Sequence, residues 1–310
     1  SSASFTYLAS RSASEYTMTA LTPTGALDCA ATAAHYRERV RRNLQDLGFA
    51  PGMAILLGSE DPGSVLYRNL LLKDCEDLGI QARHEVVGGG LGMVKAIARL
   101  NQDPRTHGIF IFYPLRYPEL KDDEIMDLVD PGKDIEGLHS INIGYLTKFR
   151  KRVDSGTERR AMMPCTGRAV LKVIKRGYGG DWLAGRTVVI LNDSLRIGRP
   201  LSAMVANLRA TPLLCHLHTN PAHLEAMIRL ADVVVSAVPA PGYCIPADWI
   251  RPEALCIDLS HEGNFDTGAL KARGIAHTDT RKNSVGRVTR AMALLNLTYA
   301  AGWEQGLARG

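Results

Sequence analysis

From Leu27 onward the apolar positions alternate between two rhythms. Leu27–Leu47 carries them at helical spacing, whereas GMAILLG (Gly52–Gly58) is a continuous apolar run closed by glycines, the mark of a strand buried on both faces. The alternation continues with helix Ser64–Leu78, strand Ala82–Gly88, helix Gly92–Leu100, strand Gly108–Leu115 and helix Asp122–Asp130, whose first turn is acidic. A second series comprises strand Arg186–Leu191, helix Pro200–Leu208, strand Thr211–His216, helix Ala222–Leu230 and strands Val233–Val238 and Ala254–Ser260. A closing helix over Val288–Trp303 has no following strand to cover, so its apolar Met292, Leu294, Leu295, Leu297 and Tyr299 are expected to pack back onto the first series. Strands alternating with helices produce parallel sheets covered on both faces. The pattern therefore predicts an α/β protein of two lobes.

The second series has the order of a Rossmann-type lobe. The expected division is a leader over 1–26, a first domain over 27–160 joined by the closing helix 287–304, and a second domain over 161–286. Between the lobes Thr147–Arg160 is polar, basic and aperiodic. It reads as a solvated connector or as a contact for an anionic ligand tail; the third reading, nucleic acid, lacks the interleaved aromatics such a surface uses.

Composition narrows the class. With 310 residues, 45% apolar and 22% charged, the chain has ample material for a buried core, and no apolar run approaches the roughly 18 residues of a membrane span. The formal charge of +5 suits anionic small molecules and falls short of a nucleic-acid-binding field. Six scattered cysteines without C-x-x-C read as buried free thiols of a reducing compartment, hence a cytoplasmic protein. Cys215-His216-Leu217-His218 resembles a metal cluster on paper, but strand alternation sends its members to opposite faces, and no metal is expected.

The segment NDSLRIGRP (Asn192–Pro200) lies between a predicted strand and a predicted helix. Backbone N–H groups at a helix start favour negative charge, Gly198 permits close approach, and Pro200 suits the first helical turn. The loop is not G-x-G-x-x-G, so two readings stand: a phosphate cradle, or an ordinary turn capped by Ser194.

Six segments in register carry a resemblance. They are SVLY (Ser64–Tyr67) with KDCEDLGI (Lys73–Ile80), YPL (Tyr113–Leu115), DPGKDIEGLHSINIG (Asp130–Gly144), MPCT (Met163–Thr166), SLRIGRP (Ser194–Pro200) and ADVVVSAV (Ala231–Val238). Through them the chain resembles the methylenetetrahydrofolate dehydrogenase/cyclohydrolase family. The resemblance implies an N-terminal folate-binding lobe, a Rossmann-type NAD-binding lobe and a cleft between them. It implies a catalytic pair, Tyr67 stacking on the folate ring system and Glu136 binding the pterin. It also implies a folate site completed by Ser64, Tyr113, Pro114, Leu115, Gly286 and Thr289. The cofactor set it implies is Asn192, Asp193, Ser194, Arg196, Ile197, Gly198, Ala237 and Val238. Cys165 is expected to pack the loop rather than act as a nucleophile, and His139 to contact ligand or cap the loop. A homodimer is implied by the same resemblance.

The departures are as informative. Bifunctional members carry a lysine one helical turn after the tyrosine and a glutamine just before the third-strand L-P-L; here those positions are Leu71 and Phe112. Lys73 lies two residues further on, on another side of the helix. Loss of this polar pair predicts loss of cyclohydrolase activity, which needs activated water, with retention of hydride transfer, which needs alignment. The monofunctional NAD-dependent enzymes of fungi are the closer resemblance: they too lack the lysine and carry E-G for D-G, as at Glu136-Gly137, and a G-[KR]-V-T start to the last helix, as at Gly286–Thr289. Asp193 stands where NADP-using relatives place an arginine, and Leu217 where they place a serine, which favours NAD. The alternatives are a relative redirected to a specialised biosynthetic pathway and a non-catalytic folate or nucleotide binder.

Overall fold

The computed structural model describes residues 25–154, 159–280 and 283–304. Most of the expected leader, residues 1–24, and the middle of the basic connector, residues 155–158, lie outside the described residues.

The first lobe runs α1 (Cys29–Leu47), β1 (Gly52–Leu57), α2 (Pro62–Glu76), β2 (Gln81–Val86), α3 (Gly90–Gln102), β3 (Gly108–Phe112) and α4 (Asp122–Met126). Its strands form a parallel three-stranded sheet in the order β2-β1-β3. Two connecting helices follow, α5 (Ser140–Thr147) and α6 (Cys165–Tyr178). The second lobe has β4 (Thr187–Leu191), α7 (Gly198–Asn207), β5 (Thr211–Cys215), α8 (Pro221–Leu230), β6 (Val233–Ser236), β7 (Leu255–Asp258), α9 (Thr267–Ala272) and β8 (Ala276–His277). Its five parallel strands are ordered β5-β4-β6-β7-β8. The α/β architecture with two parallel sheets is the one the alternation of strand and helix demands.

Local chemistry sets several boundaries. Asp61 caps α2 by accepting the Ser64 N–H at 3.0 Å, with Pro62 in the first turn. Asp28 caps α1 through the Ala31 N–H at 2.7 Å, so that helix begins at Cys29 rather than at the expected Leu27. Helix α6 is absent from the elements expected above, although Ala169, Val170, Val173 and Ile174 recur at helical spacing and are buried. The short α9 and β8 are further additions; two strand residues carry no measurable alternation. In the basic connector Arg152 and Arg160 form an antiparallel bridge, giving its ends a hairpin form.

The last helix, α10 (Val285–Glu304), is central to the core. Val288, Met292, Leu294, Leu295 and Leu297 are fully buried, and the helix packs on α1 and α6 and against β3. A helix apolar on nearly all sides is stable only when surrounded, and α10 is. No helix among the described residues is long and apolar enough to cross a membrane.

Candidate active site

In open parallel sheets ligands bind beyond the carboxyl ends of strands, where neighbouring crossovers leave in opposite directions. Both sheets present such a crevice, one between β1 and β3, the other between β4 and β6.

The first crevice holds a cavity of about 340 Å³. Ser64 and Tyr67 enter it from the first turns of α2, Phe110, Ile111 and Phe112 from the end of β3, Glu136 and Leu138 from the following loop, and Gly286 and Thr289 from α10. Five members of the expected substrate set are thus brought together: Ser64, Tyr67, Glu136, Gly286 and Thr289. Tyr113 and Leu115 are buried outside this lining, and Pro114 lines the neighbouring cavity.

Glu136 is fixed by main chain. Its Oε1 accepts the Ile111 N–H at 2.8 Å, and Gly137 behind it adopts φ +74°, where a Cβ would come within 2.5 Å of the Met163 backbone. Burial is the main influence on the Glu136 carboxyl and pushes it up to about 8, against the pull of the nearby Arg196 guanidinium. The Tyr67 ring lies near-parallel to Phe110, with centroids 6.4 Å apart, and edge-on to Phe112 at 5.7 Å. Burial raises its phenol above the ordinary range.

The lysine and glutamine positions of bifunctional relatives are apolar in space as well as in sequence. Leu71 is fully buried, Phe112 belongs to the aromatic group around Tyr67, and Lys73 is exposed. Cys165 lines the cavity, but its Sγ donates to the Ile135 carbonyl at 3.2 Å and burial pushes the thiol up, leaving no thiolate. His139 lines neither cavity; its Nδ1 accepts the Ile141 N–H at 3.0 Å and caps α5.

The second crevice holds a cavity of about 680 Å³. From the expected cofactor set Asn192, Ser194, Arg196, Ile197 and Ala237 line it, whereas Asp193, Gly198 and Val238 do not. Gly198 serves the backbone instead. A Cβ there would lie 1.5 Å from the Asn192 carbonyl oxygen, so only glycine lets α7 start so close to β4. The Asn192 side chain staples the loop. Its Oδ1 accepts from the Ser194 N–H, the Ser194 hydroxyl and the Gly198 N–H at 3.0, 2.6 and 3.1 Å, and its Nδ2 donates to the Ala237 carbonyl at 3.0 Å. The Ile197 N–H donates to Ser194 Oγ at 3.2 Å. The helix-start amides expected to cradle phosphate are therefore engaged within the loop, and Arg116 and Arg196 are the arginines lining the cavity. Val238 is held aside by Asn264, which accepts its N–H at 2.9 Å.

The two cavities share a wall made by Arg196, Ile197, Leu259, Ser260 and His261. Arg196 ties the lobes together by donating to the Tyr113 carbonyl. Sequence reasoning missed the Leu259–His261 stretch, which follows β7; its position at the carboxyl end of the predicted strand Ala254–Ser260 was the available signal. Two lobes whose cavities meet along one wall form a cleft with room for two molecules side by side.

Comparison with known proteins identifies the family. Residues 27–136 match the catalytic domain of tetrahydrofolate dehydrogenase/cyclohydrolase, and residues 164–305 match its NAD(P)-binding domain. The chain belongs to the tetrahydrofolate dehydrogenase/cyclohydrolase family. It is 31% identical over 263 residues to the bifunctional protein FolD 2 of Roseobacter denitrificans, covering 83% of each chain. It is 29% identical over 294 residues to the methylenetetrahydrofolate dehydrogenase [NAD(+)] of Schizosaccharomyces pombe, covering 86% of this chain and 90% of that one. The structure of the bifunctional FolD enzyme from Campylobacter jejuni superposes with a TM-score of 0.79 at 27% identity, over 89% of this chain and 98% of that one.

Proposed function

We propose that this protein is an NAD-dependent 5,10-methylenetetrahydrofolate dehydrogenase without methenyl cyclohydrolase activity. The observation that carries the proposal is the make-up of the folate-side cavity: Tyr67 and Glu136 line it, while Leu71 and Phe112 close the positions where bifunctional relatives keep a polar pair. Tyr67 provides the stacking wall, and Gly286 and Thr289 bound the site from α10. Glu136, as a carboxylate, accepts paired donors from the 2-amino-4-oxo pterin. Ser64 adds a hydroxyl to the same site, and Pro114 lines the neighbouring cavity.

The second cavity fits a dinucleotide: it sits at the β4/β6 switch point, is lined by Asn192, Ser194, Arg196, Ile197 and Ala237, and depends on a turn that only Gly198 permits. A nicotinamide dinucleotide bound there supplies the hydride acceptor. The shared wall of Arg196, Ile197 and Ser260 is where the methylene carbon and that acceptor would meet. Loss of hydride leaves a cation delocalised over two folate nitrogens, so no protein base is required. Hydrolysis of that product would need an activated water, and the apolar Leu71 and Phe112 offer no group to activate one.

The preference for NAD rests on Asp193 at the head of the cofactor loop. The Asp193 carboxylate lies 3.9 Å from the Arg199 guanidinium, with roughly half of each side chain exposed, so its charge is only partly offset against a 2′-phosphate. Leu217, 94% exposed, offers no polar contact. The Schizosaccharomyces relative carries the same preference in its name. The free cysteines, five of them buried, support a reducing, cytoplasmic setting, and the family resemblance supports a homodimer.

Initial rates with 5,10-methylenetetrahydrofolate and either dinucleotide, following reduced cofactor and the methenyl product together, test the proposal. The expected result is a kcat/KM for NAD at least about tenfold above that for NADP, equivalent to roughly 1.4 kcal/mol. The methenyl product is expected to accumulate, decaying only at the buffer rate. Preference for NADP, or hydrolysis faster than the blank, would overturn the corresponding half of the reading.

A further inference from the structure

Tyr67, Leu71 and Asp74 recur along α2 at i, i+4 and i+7 and therefore share one face of that helix. Asp74, only 7% exposed, is held between two arginines from other helices. Arg37 of α1 donates to its Oδ1, and Arg290 of α10 donates from Nε to its Oδ2 at 2.6 Å. Arg37 also reaches Asp77 at 3.1 Å. Arg290 is itself buried, at 8% exposure, and its guanidinium carbon lies 5.5 Å from the centroid of the Tyr67 ring. The ring lining the folate-side cavity is thus packed by Phe110 and Phe112 and carries a fixed cation at Arg290.

An arginine beside Tyr67 behaves differently from a lysine in two respects. The guanidinium does not release its proton, so it serves neither as acid nor base. It is also anchored, because the Asp74 carboxylate fixes its Nε and leaves its plane beside Tyr67. Leu71, between Tyr67 and Asp74 on the same helix face, carries no charge, and Arg290 sets a cation beside that face.

We propose that Arg290, held by Asp74, is a positioning residue for the folate site: it fixes the Tyr67 wall and supplies a permanent, non-titrating cation behind it. The inference rests on the dehydrogenase reading above. It makes folate binding, and not dinucleotide binding, dependent on a side chain outside the cavity lining. A cation against a desolvated aromatic face contributes about tenfold or more to an equilibrium.

The decisive variant is Arg290→Met, which keeps length and apolar stem, removes the charge and leaves Asp74 paired with Arg37. The expected result is a KM for methylenetetrahydrofolate raised about tenfold, with the dinucleotide KM unchanged. Arg290→Lys, which keeps the charge but loses the planar group, should recover part of the loss. In a Tyr67→Leu background Arg290→Met should add nothing further to the folate KM, because the ring it positions is gone. A purely structural role for Arg290 would instead move both KM values together and add fully in the double variant, and either result overturns the proposal. Should Arg290→Met not fold, Arg290→Lys and Asp74→Asn carry the test, and an unchanged folate KM in both overturns it. Titration of the wild-type protein with tetrahydrofolate, read by intrinsic fluorescence, separates the two levels. Absence of binding there removes the dehydrogenase reading itself, whereas binding that is equal in wild type and Arg290→Met removes only the role of Arg290.

Discussion

Glu136→Gln is expected to reduce kcat/KM for methylenetetrahydrofolate by at least about 100-fold while making the ligand-free protein more stable. The two effects have one cause. Burial holds the Glu136 carboxyl at about 8, well above its ordinary 4.5. A carboxyl whose folded value is raised contributes stability that is fully present below 4.5 and is lost as pH climbs to about 8. Above that range the fold carries an ionised group it disfavours, at a cost of a few kcal/mol. Glutamine does not titrate, and its carbonyl replaces Oε1 as acceptor for the Ile111 N–H, so this cost disappears. The melting temperature of Glu136→Gln should exceed that of wild type by several degrees at pH 8.5, and the gap should close near pH 4.5. Catalysis moves the other way, because the amide N–H₂ then faces the pterin donors that a carboxylate would accept. In the wild type, kcat/KM for folate should rise with pH through about 8 as the carboxylate forms, and this limb should be missing from the variant's residual activity. Wild-type turnover by Glu136→Gln would remove Glu136 from the site.

Gly198→Ala is the corresponding experiment on the dinucleotide side. The added Cβ would stand 1.5 Å from the Asn192 carbonyl oxygen and 2.4 Å from its carbon. Those atoms are backbone at the end of a buried strand and have nowhere to retreat, so the loop between β4 and α7 must move. With it go the Asn192 bonds to Ser194 and Gly198 and the tie from Asn192 to Ala237. The expected outcome is a dinucleotide KM raised at least about 100-fold and a stability loss of roughly 3 kcal/mol. Tetrahydrofolate titration should change far less, since Tyr67, Glu136 and Thr289 are supported by other elements. Calorimetric titration with each ligand, with a thermal melt alongside, measures all three quantities. An alanine variant that binds NAD as the wild type does would mean that this loop does not hold the cofactor.

Loss of folate binding in the first variant and of dinucleotide binding in the second would place the two ligands in separate cavities that meet at Arg196, Ile197 and Ser260. That division is what a hydride transfer between two bound molecules requires.

The two α/β lobes are legible in the amino-acid pattern, because buried parallel strands must be continuous apolar runs and their crossovers must be amphipathic helices. The family is legible as well, and so is the gathering of Ser64, Tyr67, Glu136, Gly286 and Thr289 around one cavity, because short motifs preserve the side chains that surround a cavity. The apolar replacements at Leu71 and Phe112 can be read for the same reason. Other features exist only once the chain has folded. Asp193 lies in the loop after β4 and Val238 in the loop after β6, yet neither lines the cavity, because side-chain direction in a loop is set by its hydrogen bonds: the Asn192 staple, and Asn264 holding Val238. The Leu259–His261 wall became part of the site only when β7 was placed beside β6. Arg37, Asp74 and Arg290 are ordinary charges on three helices far apart in sequence, and nothing in their spacing announces a cluster. They meet because α10 returns through the core against α1 and α2, and burial then obliges the charges to pair with one another beside Tyr67.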